Sequence, residues 1–306
     1  MEYMKKPIFF LLLCIILNID LKAQTKPASI AEINQFLSST TYVVLEENPF
    51  SVFNATITSG MNVYWKITPY KIISAQEFEK MKTDPKKSFL YISWAEITKT
   101  KTSLFKANTG LFDNIDQFRY NLLNLVLGSK TGDVNKMPDL ASLPLSYVAP
   151  VSKSEEDEGE EIDYSYKLGG ILRLMQFYIR WAIDNPNKSF DNLMDSYTSE
   201  LKTLELWLTK DDLAEEAGTL EKIAKVYPSK VKMVTTSDIE TAIKEGSQNA
   251  VFVHKIGPEK FKLKDPICFI TLINCATGKP YYFGYHKVKD HSMDGIMLSD
   301  FKKMAK

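Results

Sequence analysis

The chain has 306 residues, three cysteines and a formal charge of zero. Its 38 basic and 38 acidic residues cancel, which gives no electrostatic reason to expect a nucleic-acid partner. An apolar share of 44% excludes a disordered chain and is enough for a packed core.

The first segment reads as an export signal. Lys5 and Lys6 precede an apolar run over residues 8–17. About ten apolar residues suit a signal-peptide core and fall short of the roughly 20 a membrane span needs. Asn18 and Asp20 end the run, and Ala23 offers a small residue before the expected cut, leaving Gln24 first. Residues 1–23 are therefore expected to be removed, and the mature chain to be periplasmic or extracellular with no transmembrane span. Lipidation at Cys14 is disfavoured, because residues 11–13 are all Leu and lack the small pair such a site wants.

Residues 24–150 and 167–306 then read as two related units. Residues 70–93 align without a gap on residues 231–254. Each stretch is an apolar strand, a capped helix and a second apolar strand. Ser74 is a good N-cap with Glu77 three residues on, and Thr235 or Ser237 serves in the second copy. Asp84-Pro85 and Glu245-Gly246 stop the helices. A second match aligns residues 122–132 with 268–278, placing Leu122 on Cys268 and Asn124 on Ile270. Residues 42–45 and 204–208 supply a preceding strand, followed by helical stretches over 53–65 and 213–227. The expected class is α/β (α+β): two β-α-β-α-β-β-β units, each a mixed sheet with helices packed on it. Residues 94–120 are expected to hold a long loop or an additional strand.

Between the units, residues 151–166 read as an acidic linker, with seven carboxylates in residues 154–163. They lack the spacing of a calcium loop. Residues 168–183 then form a strongly apolar helix, extra to the repeat. Arg173, Gln176 and Arg180 make its one polar stripe, and an almost fully apolar surround implies burial on several sides. Basic residues are nearly all Lys; only Arg119, Arg173 and Arg180 are arginines. Cys268 and Cys275 lie along one strand, roughly 23 Å apart and on opposite faces, so they are expected to stay unpaired.

No catalytic constellation stands out. His286 and His291 sit near Asp290 and Asp294, a donor set that could ligate zinc, although the spacing fits no helical zinc motif and a solvated turn explains it as well. His286 would have to return across a hairpin to serve Cys275 as a base. Residues 128–133 resemble a phosphate loop but lack the Gly before Lys130 and the upstream Gly. No cofactor is expected. Aromatic residues suggest contact surfaces instead: Tyr64, Trp65, Trp94, Tyr282 and Tyr285 are candidate binding residues, together with Arg173 and Arg180.

The leader ending Lys22-Ala23-Gln24, the stretch Tyr64-Trp65-Lys66-Ile67-Thr68-Pro69-Tyr70 and its counterpart Tyr227-Pro228 resemble an uncharacterised family of exported Bacteroidetes proteins with a duplicated α/β unit. The resemblance implies no catalytic residues. More loosely, the strand–helix order is similar to small domains of envelope assembly proteins, which does not fix function. The leading expectation is a non-enzymatic envelope module with a protein partner, acting through an exposed aromatic or apolar patch. Two rivals are a small-ligand binder with its pocket between the units, and a metal-dependent hydrolase.

Overall fold

The computed structural model describes residues 28–96, 119–148, 164–186, 188, 192–193, 196–258 and 267–306, less the side chains of 94–96, 119 and 148. The leader, the region 97–118 and the acidic run lie outside the described residues. So does any further strand or loop expected between residues 97 and 118.

The element order is α1 (Ile30–Leu37), β1 (Thr41–Val44), α2 (Val52–Tyr64), β2 (Tyr70–Ile73), α3 (Ala75–Met81), β3 (Ser88–Glu96), β4 (Arg119–Leu127) and β5 (Asp139–Val148). Helix α4 (Leu168–Asp184) follows. Then come β6 (Glu205–Leu208), α5 (Leu220–Ala224), β7 (Lys230–Met233), α6 (Thr236–Glu245), β8 (Ala250–Ile256), β9 (Ile267–Asn274), β10 (Pro280–Lys287) and α7 (Leu298–Met304). No described helix is long and apolar enough to cross a membrane.

Two five-stranded sheets result, with the orders β2-β1-β3-β4-β5 and β7-β6-β8-β9-β10. The three strands joined through helices pair in parallel, and the hairpin strands add antiparallel. Both units are therefore mixed sheets of one topology, as the repeated pattern predicts. The local signals also hold. Ser74 and Glu77 form a reciprocal capping box at α3, and Thr235 forms one with Asp238 at α6. Gly246 ends α6 with φ at 72°, a left-handed cap that suits glycine.

The second sequence match is three residues out of register. Tyr91 pairs with Asn124 and its counterpart Phe252 pairs with Ile273, so Asn124 is equivalent to Ile273 and not to Ile270. Near-continuous apolar strands carry little register information, because every short slip still matches apolar to apolar. The helical stretch expected over 213–227 is also shorter than in the first unit. A 3-10 turn (Glu215–Ala217) and the five-residue α5 replace the thirteen residues of α2.

The units stack head to tail rather than face to face. Phe89 and Tyr91 point to the outer face of the first sheet, where Phe78 of α3 covers them. Their counterparts Ala250 and Phe252 point inward, into a core shared with Leu90, Leu123 and Leu125 of the first sheet. The layers run α3, first sheet, a helical layer of α1, α2, α4 and α6, second sheet, then α5 and α7.

Helix α4 is the centre of that stack. It contacts α1, α2 and β5 on one side and α6 and β9 on the other. Leu168, Ile171, Leu172, Leu174, Met175 and Ile179 are all buried within it. Two adjacent glycines weaken a helix by about 1 kcal/mol each, and close approach explains them here. A Cβ on Gly170 would lie 2.4 Å from the Phe252 ring, and one on Gly169 would lie 2.6 Å from the Tyr64 ring. The helix therefore touches a side chain of each unit at successive positions. Residues 164–166, assigned to the linker from sequence, are part of this core. Tyr164 is buried, and a 3-10 turn (Ser165–Lys167) leads into α4.

Candidate functional site

The seam between the units opens at the C-terminal half of α4 into a groove of about 560 Å³. Tyr64 and Lys66 line it from the end of α2; Arg173, Gln176, Phe177, Arg180, Trp181 and Asp184 come from α4. Tyr197 and the β9–β10 turn at Ala276 and Thr277 close the far wall. That turn is seated tightly. Gly278 has φ at 72°, and a Cβ there would lie 2.2 Å from the backbone of Arg173.

Arg173 and Gln176 hold the groove together. Arg173 donates from Nη1 to the Ile243 carbonyl at 2.6 Å and to the Cys275 carbonyl, and its guanidinium lies 5.1 Å from the Tyr64 ring centre. Gln176 accepts from the Lys66 amide at 2.8 Å and donates to the Tyr64 carbonyl at 2.9 Å. These contacts satisfy chain ends of α2 and α6 that a helix leaves unpaired. Burial lowers the Arg173 pKa. Burial also pushes the Tyr64 hydroxyl up, with Arg173 pulling it part of the way back. Arg180, Lys66 and Asp184 are exposed on the rim. Among the described residues no carboxylate lies within ion-pair distance of Lys66, Arg173 or Arg180.

Three of the predicted binding residues thus converge: Tyr64, Arg173 and Arg180. The others do not join them. Trp65 is a core residue at 3% exposure, with its indole N–H donating to Thr68 Oγ1 at 3.0 Å. Tyr282 is buried, its hydroxyl donating to Asp300 at 2.8 Å under α7. Its face of β10 is covered because α7, which the sequence pattern did not reveal, packs there. Tyr285 is half exposed beside Phe283 and Phe269, away from the groove. Trp94 lies in β3, and its side chain is outside the described residues. Phe177, Trp181 and Tyr197 were missed; the 3.6-residue period linking Arg173, Phe177 and Arg180 was the available signal.

The suggested metal ligands separate. His286 donates from Nε2 to the Met293 carbonyl at 2.7 Å, and Asp290 caps the 3-10 turn His291–Met293. Asp294 is buried and ion-paired to Lys255 at 2.9 Å, so the solvated-turn reading fails for it. Among the described residues no group of three or more His, Cys, Asp or Glu could hold a metal. Cys268 and Cys275 are both buried and free, the first near the start of β9 and the second just past its end. Register places His286 opposite Cys268 and not near Cys275. Burial, and then Asp294, push the Cys268 thiol up; burial pushes Cys275 up to about 12. Neither thiol is set to act as a nucleophile. Gly128–Asp133 is a turn with Gly132 at φ 65°, followed by a 3-10 turn and not by the helix a phosphate loop needs.

A second polar cluster lies at the other end of the seam. Lys167 pairs with Asp212 at 3.5 Å and Lys255 with Asp294 at 2.9 Å, all four side chains buried. His254 donates from Nε2 to the Pro144 carbonyl at 3.0 Å, and Tyr120 donates to the Ile267 carbonyl at 2.6 Å. Both hydrogen bonds cross from one unit to the other. The space beside His254 is only about 10 Å³, which suits a single water and no ligand.

Comparison with known proteins adds no assignment: no family model matches the chain, and no curated protein or solved structure matches it.

Proposed function

We propose that the protein is an exported, non-enzymatic binding module of the cell envelope whose recognition site is the groove between its two units. The observation that carries this is the convergence of Tyr64, Arg173 and Arg180 on one groove. Two of the three arginines in the chain stand there, beside half-buried aromatic rings. Arg, Tyr and Trp are the residue types that dominate binding energy at interfaces. Among the described residues, the exposed large apolar side chains other than Phe50, Val52 and Val63, which lie on or beside α2, stand one to an element: Ile72, Leu220, Met233 and Tyr285. Cys268, Cys275 and His254 are buried, and the partly exposed His286 is bound to the Met293 carbonyl, which favours binding over catalysis.

The test is capture of a tagged copy from its native envelope after mild crosslinking, beside a Lys66→Glu/Arg180→Glu variant. Both changes are on exposed rim side chains, so the fold should tolerate them. A partner in stoichiometric amount should co-purify with the natural protein and fall about tenfold with the variant. Equal recovery would move the site elsewhere. A monomer with no partner in either case would favour the small-ligand reading, which thermal-shift screening would then show as raised stability.

A further inference from the structure

We propose that the groove takes an acidic, extended peptide segment of its partner, an inference that rests on the groove being the recognition site. The charge around it is mainly positive: among the described lining residues, Lys66, Arg173 and Arg180 face one carboxylate, Asp184, with Glu240 also acting on Tyr64, in a chain whose total charge is zero. A local excess of positive charge on a neutral molecule steers negative groups to that place. The donors divide between two tasks. Arg173 spends Nη1 on two carbonyls that hold the wall, while Arg180 stands exposed on the rim with its fork available to a carboxylate. Lys66 is exposed on the facing unit.

The shape favours a segment over a compact ligand. Arg173 to Asp184 covers three turns of α4, a rise of roughly 16 Å. An extended chain covers that distance in about five residues. Along it lie Tyr64, Phe177 and Tyr197, each half buried, with Phe177 and Tyr197 edge to face at 6.1 Å. Such rings offer an apolar body to side chains standing between the acidic ones.

The experiment is fluorescence anisotropy of the mature protein with a labelled peptide of alternating Glu and aromatic residues. A matched peptide with Gln for Glu is run beside it, and unlabelled tri-galacturonate serves as competitor. The acidic peptide should bind about tenfold or more tightly than the neutral one, and should weaken as salt rises. Arg180→Glu should cost about tenfold, and Lys222→Glu, exposed on α5, should cost nothing. Equal binding of both peptides, unchanged by Arg180→Glu but weakened by Tyr64→Ala, would overturn the acidic class and leave the groove as the site. Displacement by tri-galacturonate with no peptide binding would overturn the peptide in favour of an acidic sugar. No binding of any probe, with every groove variant silent, would overturn the groove reading as well.

Discussion

Asp294→Ala should destabilise the protein by about 3–5 kcal/mol, read as a lower midpoint in chemical denaturation. The carboxylate is buried against Lys255 at 2.9 Å, with side-chain exposures of 8% and 5%. Removing one partner of such a pair leaves the other charge buried without its counter-charge, and that desolvation dominates the cost. The sequence offers a neighbouring control. Asp290, four residues earlier, is exposed and only caps a short turn, so Asp290→Ala should shift the midpoint far less. The double change Lys255→Met/Asp294→Leu should recover most of the loss, because it removes both charges together. Equal, small losses for Asp290→Ala and Asp294→Ala would contradict the buried pair.

Acid should destabilise the fold through His254. Burial, and then the nearby Lys167, hold its imidazole down to about 3, against 6.5 for an ordinary histidine. Below pH 6.5 the unfolded chain takes up a proton that the folded chain refuses. The contribution of neutral His254 is thus fully present above pH 6.5 and is lost as pH falls toward 3. The slope is up to about 1.4 kcal/mol per pH unit, so roughly 2–3 kcal/mol should go between pH 6.5 and 4.5. His254→Gln should flatten this limb of the stability curve while leaving the carboxylate-driven loss at lower pH. The Tyr147 and Tyr164 rings, Lys167 and Lys255 also line this space. Parallel curves for the two proteins across that window would show that His254 is not held neutral.

Much of the fold was legible because it rests on local rules. Ser74 with Glu77, Thr235, and Glu245-Gly246 mark helix ends through backbone hydrogen bonding that neighbours in sequence supply. The all-round apolar pattern of residues 168–183 required burial on several sides, and α4 is buried between two sheets. What failed is non-local. Trp65 and Tyr282 read as surface aromatics because period-2 and period-3.6 patterns do not say which face another helix will cover. Asp294 read as a turn residue because its partner, Lys255, is 39 residues away in the chain. Helix α1 was missed although Ser29 and Glu32 form a capping box ahead of Ile33 and Phe36, a signal as strong as the one at α3. The groove itself was only half legible. Arginine scarcity singled out Arg173 and Arg180, but Lys66 and Tyr197 reach them through the stacking of the two units.

The most direct measurement places a photo-crosslinking residue at Asp184 or Thr277, on the two walls of the groove, and at Phe50 or Met233, exposed elsewhere. Each form is irradiated in the native envelope and the products are resolved by mass. A discrete adduct from Asp184 and Thr277, absent from Phe50 and Met233, is the result expected of an inter-unit recognition groove. An adduct from Phe50 or Met233 with silence at both groove walls would contradict it.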